Sequence, residues 1–434
     1  MKRLSVFLTF FLVVFAARAG ETVRYGDIKA LRGILPQRTD YYTIDDVVEV
    51  QEPYYVFKVS SAHHPLYTVV GISGLMKVCH EITMMEWFYT TETGSQVWVG
   101  VKDSVKSTAE GAKQLVLHPG DSFQGMKRSA KRTGRMVKDF FKGVGKDNKS
   151  SDGKNLEAGA GNFFTSEAAL KVAYELRLDA YTQNVWARKL IENIALRRTA
   201  GGAAVSVSSS MIVPMSTLVS VSSSFAINGA LTPGAYLEQT EVMLRDNPPK
   251  ELYRELVKHM QNIGFDANSR EMLLFKTFTE NPNYTPHDKA YITEFLVKLA
   301  SVRGLPEVLQ TLATVSSTED AAVLFNQLQF LNGFNGTRFQ LAEFVVTPQN
   351  IFAKDNGGGV VAIMPYDILD STRALDNSLG FLKTLSAPKR GVWVIGTASP
   401  NFRSVLQAHG VTELRENILH YNPVAAAPVP VKAK

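Results

Sequence analysis

The sequence predicts an α+β protein, mostly helical, with an N-terminal α+β module, a central helical bundle and a small C-terminal α/β unit. Three observations carry that expectation. Short runs rich in Val, Tyr and Phe fill residues 41 to 70, amphipathic stretches follow one another from 165 to 335, and strand-like and helix-like segments alternate from 336 to 421. With 434 residues, 45% of them hydrophobic and 20% charged, there is apolar surface enough for two or three domains.

The first nineteen residues read as a secretory signal. Lys2 and Arg3 precede an apolar run from Val6 to Ala17, and Ala17-Arg18-Ala19 has the small-x-small pattern of a cleavage site. The expectation is a mature chain from Gly20 that is periplasmic or secreted, without a lipid anchor, since no cysteine follows the cut. Loss of Lys2, Arg3 and Arg18 lowers the formal net charge from +6 to +3, too mild a balance to identify a polyanion partner. Cys79 is the single cysteine, so no intramolecular disulfide supports this exported chain. It lies among Leu75, Val78 and Ile82 at helical spacing, the setting of a small buried hydrophobe.

Within residues 20–146, Asp46 to Val50 and Tyr54 to Val59 read as strands, and Leu75 to Tyr89 as a helix with a second helical stretch from Trp98 to Leu115. The module ends in a basic segment. Between Met126 and Lys149 there are nine basic residues and two acids. On a helical wheel Met126, Ala130, Thr133, Val137, Phe140 and Val144 fall within about 40° of one line, whereas Lys127, Lys131, Arg135, Lys138 and Lys142 lie about 100° to 200° away. This segregation suits a helix lying on an anionic membrane surface or against an acidic protein, and equally a surface helix whose apolar stripe faces its own core. Phe140 and Phe141 fall on the apolar side and not among the charges as base-stacking platforms would, so nucleic acid is not an expected partner.

Residues 147–164, rich in Gly, Lys, Ser, Asn and Asp, read as a linker. After it, Glu167 to Leu178 and Val185 to Arg198 have helical periodicity, with Asn184 as an N-cap. The stretch Glu175-Leu176-Arg177-Leu178-Asp179-Ala180-Tyr181-Thr182-Gln183-Asn184, with Gly201-Gly202 after the next helix, resembles an uncharacterised family of exported bacterial proteins. That family's pattern is Asp-Pro-Tyr-Ser/Thr-x-Asn-Pro; this chain has Ala180 and Val185 at the two proline positions. The resemblance implies a bacterial origin and a shared fold, and it transfers no activity and no functional residue.

Thr199 to Leu237 carries no charge over 39 residues, but serines and Pro214 dilute its apolar side chains. A helix or hairpin buried between neighbours accounts for this composition, and insertion into a bilayer is the alternative. From Pro249 to Asn332 nearly everything reads as helix, with Thr285-Pro286 opening one segment and Ser317 or Thr318 another.

In the C-terminal unit, Phe339 to Val346, Gly359 to Met364 and Val392 to Gly396 read as strands, and Leu369 to Leu385 and Ser399 to His409 as helices, with Gly410 as a stop. Sheets of this kind place ligands beyond the carboxyl ends of their strands, which makes Asp367, Asp370 and Ser399 the candidate ligand residues. Caps and turns are the alternative role for all three. The tail from Asn422 onward reads as disordered.

Known catalytic constellations are not formed by the spacing. His80-Glu81 lacks a second histidine four residues on, Cys79 and His80 point about 100° apart on a helix, and no G-x-S-x-G occurs. His63-His64 before Pro65 reads as a turn, so no metal and no cofactor are expected, and no catalytic residue is assigned. The leading expectation is a non-enzymatic envelope protein that binds a partner or an anionic membrane. Its alternatives are a hydrolase or transferase using the C-terminal unit, and a membrane-inserting protein using residues 199–237.

Overall fold

The computed structural model describes residues 21–64, 66–91, 94, 97, 115–117, 166–199, 234–336, 338–347, 350–370 and 373–421. The expected signal sequence, the basic segment with Lys127, Lys131, Arg135, Val137, Lys138, Phe140 and Lys142, the expected linker, nearly all of the charge-free stretch and the residues from Asn422 onward lie outside them. The chain is a mixed α+β protein, mostly helical.

The N-terminal module is a sheet wrapped on one helix. Its strands are β1 (Thr22–Arg24), β2 (Thr43–Ile44), β3 (Val47–Gln51), β4 (Tyr54–Ser60) and β5 (Tyr67–Val70), followed by helix α1 (Ile72–Tyr89) and strand β6 (Leu115–Leu117). The order is β1-β3-β4-β5-β6, with β2 also on β4, and β6 runs parallel to β5 after the crossover through α1. Leu115 therefore opens a strand instead of ending the helix expected from Trp98; residues 98–114 are outside the described set. A three-residue strand is too short for the alternation that marks longer ones in sequence.

Helix α1 is apolar on nearly every side and is correspondingly buried, Leu75, Cys79, Ile82, Met85 and Phe88 all being fully enclosed. It starts at Gly71, whose φ of 81° favours glycine.

The bundle comprises α2 (Glu167–Glu175), α3 (Val185–Thr199), α4 (Gly234–Asp246), α5 (Pro249–Asn262), α6 (Arg270–Glu280), α7 (Pro286–Lys298), α8 (Leu305–Thr314) and α9 (Thr318–Phe334). Short polar residues start α2, α3, α6, α7 and α9, whereas α5 follows Pro248 and α8 follows Gly304 with no side-chain cap. Thr285 and Asp288 form a reciprocal capping box on α7, and Ser317 accepts from the amide of Asp320 on α9.

The C-terminal unit runs β7 (Leu341–Val346), β8 (Ile351–Asp355), β9 (Val360–Met364), β10 (Ile368–Leu369), α10 (Arg373–Thr384), β11 (Arg390–Val394), β12 (Thr397–Ala398), α11 (Pro400–Ala408) and β13 (Glu413–Arg415). The sheet order is β13-β11-β9-β8-β7; β9, β11 and β13 are parallel and β7 and β8 antiparallel. Leu369 pairs with Ala398 in a small parallel bridge, so α10 starts at Arg373 and not at Leu369 as its periodicity suggested.

Alternation in this sheet separates two cores. Phe352, Ala362, Met364, Val392 and Val394 pack with Leu379, Phe402 and Leu406 of the two outer helices. Ala353, Val361, Ile363 and Trp393, on the opposite face, join the main core, which continues through Leu328 and Phe295 of the bundle to Phe57 and Tyr25 of the first sheet. The three sequence regions are thus bonded through one apolar interior.

Candidate functional site

Polar chemistry concentrates along α1, the helix that all three regions touch. At its first turn the backbone amides have no intrahelical partners and Gly71 has no side chain to offer. Asp367, which is 295 residues away in sequence, supplies the acceptor: Ile72 donates to its carboxylate at 3.1 Å and the amide of Tyr55 on β4 donates at 2.9 Å. In return, the Asp367 and Ile368 amides donate to the Pro53 carbonyl. Asp367 is 1% exposed, and burial pushes its carboxyl up to about 7 against the pull of the two amides.

The middle of α1 meets the loop between α2 and α3. Glu81 is buried and accepts the Thr182 hydroxyl at 2.6 Å and the Asn184 side-chain amide at 3.0 Å. Burial raises its carboxyl, and nearby Lys77 and these two donors oppose the shift. Lys77 pairs with Asp179 at 2.8 Å, and His80 Nε2 lies 2.9 Å from the Arg177 carbonyl, with burial lowering this imidazole to about 4. Asn184 still caps α3, accepting from Trp186. The loop that carries the Asp-Ala-Tyr-Thr-Gln-Asn sequence therefore serves as the docking key between the first module and the bundle.

Toward its end, α1 presents Glu86 to the β4–β5 loop. His63 Nδ1 lies 2.5 Å from Oε2, His64 Nδ1 lies 3.0 Å from Oε1, and the His63 amide donates to Oε1 at 3.0 Å. Burial alone would raise Glu86, yet the donors from His64, Ser61 and His63 take it down to about 2. The turn predicted at His63-His64 is present, and it is bonded to a buried carboxylate. Ser61 Oγ lies 3.1 Å from His64 Nδ1, the same ring nitrogen that faces Glu86. A nucleophile relay requires serine and carboxylate on opposite ring nitrogens, so these three residues do not form one.

The C-terminal candidates divide between two structural tasks. Asp367 caps α1. Ser399 donates to Asp370 at 2.9 Å and accepts the Phe402 amide at 3.0 Å as the N-cap of α11. The cavity beside Asp367, bordered by Tyr54, Ser73 and Asn326, measures about 10 Å³, room for one water. It reaches neither Asp370 nor Ser399.

Among the described residues no group of three His, Cys, Asp or Glu side chains is arranged to hold a metal ion. The roles of Glu81 and Glu86 were missed in sequence. Their signal was present, because Lys77, His80, Glu81 and Glu86 are the basic and acidic side chains of a largely apolar run, and buried acids demand donors. Compared with known proteins, the chain matches no family model, no curated protein and no solved structure.

Proposed function

We propose that the chain is an exported bacterial envelope protein that works by binding, and that residues Met126 to Lys146 make the contact with an anionic membrane surface. The observation that carries this reading is the segregation of Lys127, Lys131, Arg135, Lys138 and Lys142 from Val137 and Phe140 around a helical wheel. Its place in the chain agrees: residues 118–165 join β6, at the edge of the first sheet, to Ser166, the N-cap of α2. An acidic protein offers similar charge chemistry and is the other outcome of the test. The hydrolase or transferase reading draws no support from Asp367, Asp370 and Ser399, which hold helix starts together. For the membrane-inserting reading, no described helix is long and apolar enough to cross a membrane, and the stretch it invokes lies largely outside the described residues.

Each cation near anionic lipid contributes on the order of 1 kcal/mol, and the attraction weakens as the Debye length contracts to roughly 8 Å at physiological ionic strength. Co-sedimentation with phosphatidylglycerol-containing and purely phosphatidylcholine vesicles tests the proposal. The mature protein should pellet with the anionic vesicles, less so as salt rises. A variant carrying Lys131→Glu, Arg135→Glu, Lys138→Glu and Lys142→Glu should stay in the supernatant with an unchanged circular dichroism spectrum. A mature protein that ignores both vesicle types overturns the membrane assignment.

A further inference from the structure

A second opening in the molecule lies where parallel α/β sheets hold ligands, beyond the carboxyl ends of β11 and β13. It is a cleft of about 290 Å³ between the C-terminal unit and the helical turns of residues 25–31, at the small end of the range for ligand sites. Its walls grade by polarity. Asp27, Lys29 and Arg403 are exposed at the rim, whereas Tyr55, Gly396 and Ala398 are buried and Thr397 and Asn417 half-buried toward the floor.

The charges at the C-terminal wall are already matched. Arg403 donates to both oxygens of Glu416 at 2.9 and 2.7 Å, and the Ala398 amide donates to Glu416 Oε1 at 2.7 Å. The start of α11, which would otherwise attract an anion, thus has the chain's own carboxylate beside it. An incoming phosphate or carboxylate would meet Glu416, and an incoming cation would meet the guanidinium. The floor offers instead neutral hydrogen-bonding groups, the Thr397 hydroxyl, which bonds the Tyr55 side chain, and the Asn417 amide. Asn417 Oδ1 is buried without a hydrogen-bond partner. Rotation about its soft terminal torsion turns either end of the amide toward the cleft.

We infer that this cleft binds a small uncharged polyhydroxyl ligand, a mono- or disaccharide, with Thr397 and Asn417 hydrogen-bonded to its hydroxyls. A sugar hydroxyl both donates and accepts, so it satisfies the hydroxyl and the unpaired amide oxygen without bringing a charge into the cleft. The charged rim then remains hydrated.

Two substitutions isolate the floor from the fold. Asn417 has φ 55°, a conformation that glycine adopts readily, and its backbone amide keeps its bond to the Gly396 carbonyl whatever the side chain. Asn417→Gly should therefore fold, and Thr397→Val preserves shape while removing the hydroxyl together with its bond to Tyr55. Saturation-transfer NMR on the full mature chain, with maltose, N-acetylglucosamine, glutamate and inorganic phosphate as separate probes, reads the outcome. At least one sugar should receive saturation from the protein, with affinity falling about tenfold or more in Asn417→Gly at unchanged melting temperature. Absence of binding by both sugars, tighter binding of glutamate or phosphate than of either sugar, or equal sugar affinity in Asn417→Gly overturns the inference. If Asn417→Gly unfolds, the Thr397→Val affinity decides in the same way.

Discussion

Asp367 and Glu86 are both buried carboxylates at opposite ends of α1, and their surroundings drive them in opposite directions. Asp367 receives two backbone amides and its carboxyl rises to about 7; Glu86 receives two imidazoles, a hydroxyl and an amide, and falls to about 2. Both are enclosed, but Asp367 lies deeper, so the difference comes from the depth of burial together with the donors. Amides supply partial charge and cannot ionise, while an imidazole can take a proton and turn a hydrogen bond into an ion pair. The first end of the helix is a junction that tolerates neutrality. The second is one that needs charge.

The largest effect should come from the Asp367 end. A Cβ on Gly396 would lie 1.7 Å from the Asp367 carbonyl oxygen, a backbone atom that cannot step aside. Gly396→Ala should cost about 3 kcal/mol or more in denaturant unfolding, whereas Gly26→Ala, with open space around it, should change stability by less than about 0.5 kcal/mol. Asp367→Ala, which leaves the Tyr55 and Ile72 amides without their acceptor, should cost about 2 to 5 kcal/mol. Asp367→Asn keeps an oxygen for those amides and should recover most of that loss. Equal destabilisation by Asn and Ala would mean that the charge, and not the acceptor, holds the junction.

Dependence on pH sharpens the same contrast. Asp367 has a folded value above its unfolded one, so its contribution is complete below about pH 4 and is lost as pH rises through about 7. Glu86 has a folded value below its unfolded one, so its contribution is present above about pH 4.5 and is lost as pH falls toward about 2. His80, lowered to about 4, adds the opposite trend to the whole curve, so Asp367 is read from the difference between parent and Asp367→Asn: measured from pH 3 to 8, that difference should move against the parent as pH rises. Glu86→Gln should instead remove a loss on the acid side, on the order of 2 kcal/mol. A parent-minus-variant difference that stays constant from pH 3 to 8 would contradict the assignment at Asp367.

How much of this was legible in the sequence follows from the range of the interactions. Ser317, Thr285 and Ser399 cap helices because each lies beside the turn it serves, and Gly410 stops α11 at φ 74° for the same local reason. Periodicity likewise located α1 and the parallel strands β9 and β11. The strands β1 and β13 did not stand out, since each has three residues and a partner elsewhere in the chain; β8 pairs with its chain neighbours β7 and β9, but Ile351–Asp355 lacks the alternation of apolar and polar side chains. Asp367 was noticed for its position after a strand, where α/β sheets hold ligands. Its task as the cap of a helix that begins at Ile72 required knowing which segments meet. The same holds for Glu81, whose partners Thr182 and Asn184 lie about a hundred residues on.

Glu81 provides the smallest and most discriminating test, because it stands between the two extremes. Its donors are neutral side chains, and Lys77 is near enough to oppose the effect of burial without reversing it. Thr182→Val deletes the 2.6 Å hydroxyl bond at nearly constant volume and leaves one oxygen of a buried acid short of a donor. The Thr182 hydroxyl also accepts from the Asn184 amide, so the loop loses a second, internal bond. The expected cost is about 1 to 2 kcal/mol at pH 7, less at pH 4, where a protonated Glu81 needs fewer donors. Thr182→Ser, which keeps the hydroxyl, should restore most of it. If valine and serine cost the same at both pH values, the loop docks through packing of its apolar neighbours alone, and the middle of α1 belongs with neither of its ends.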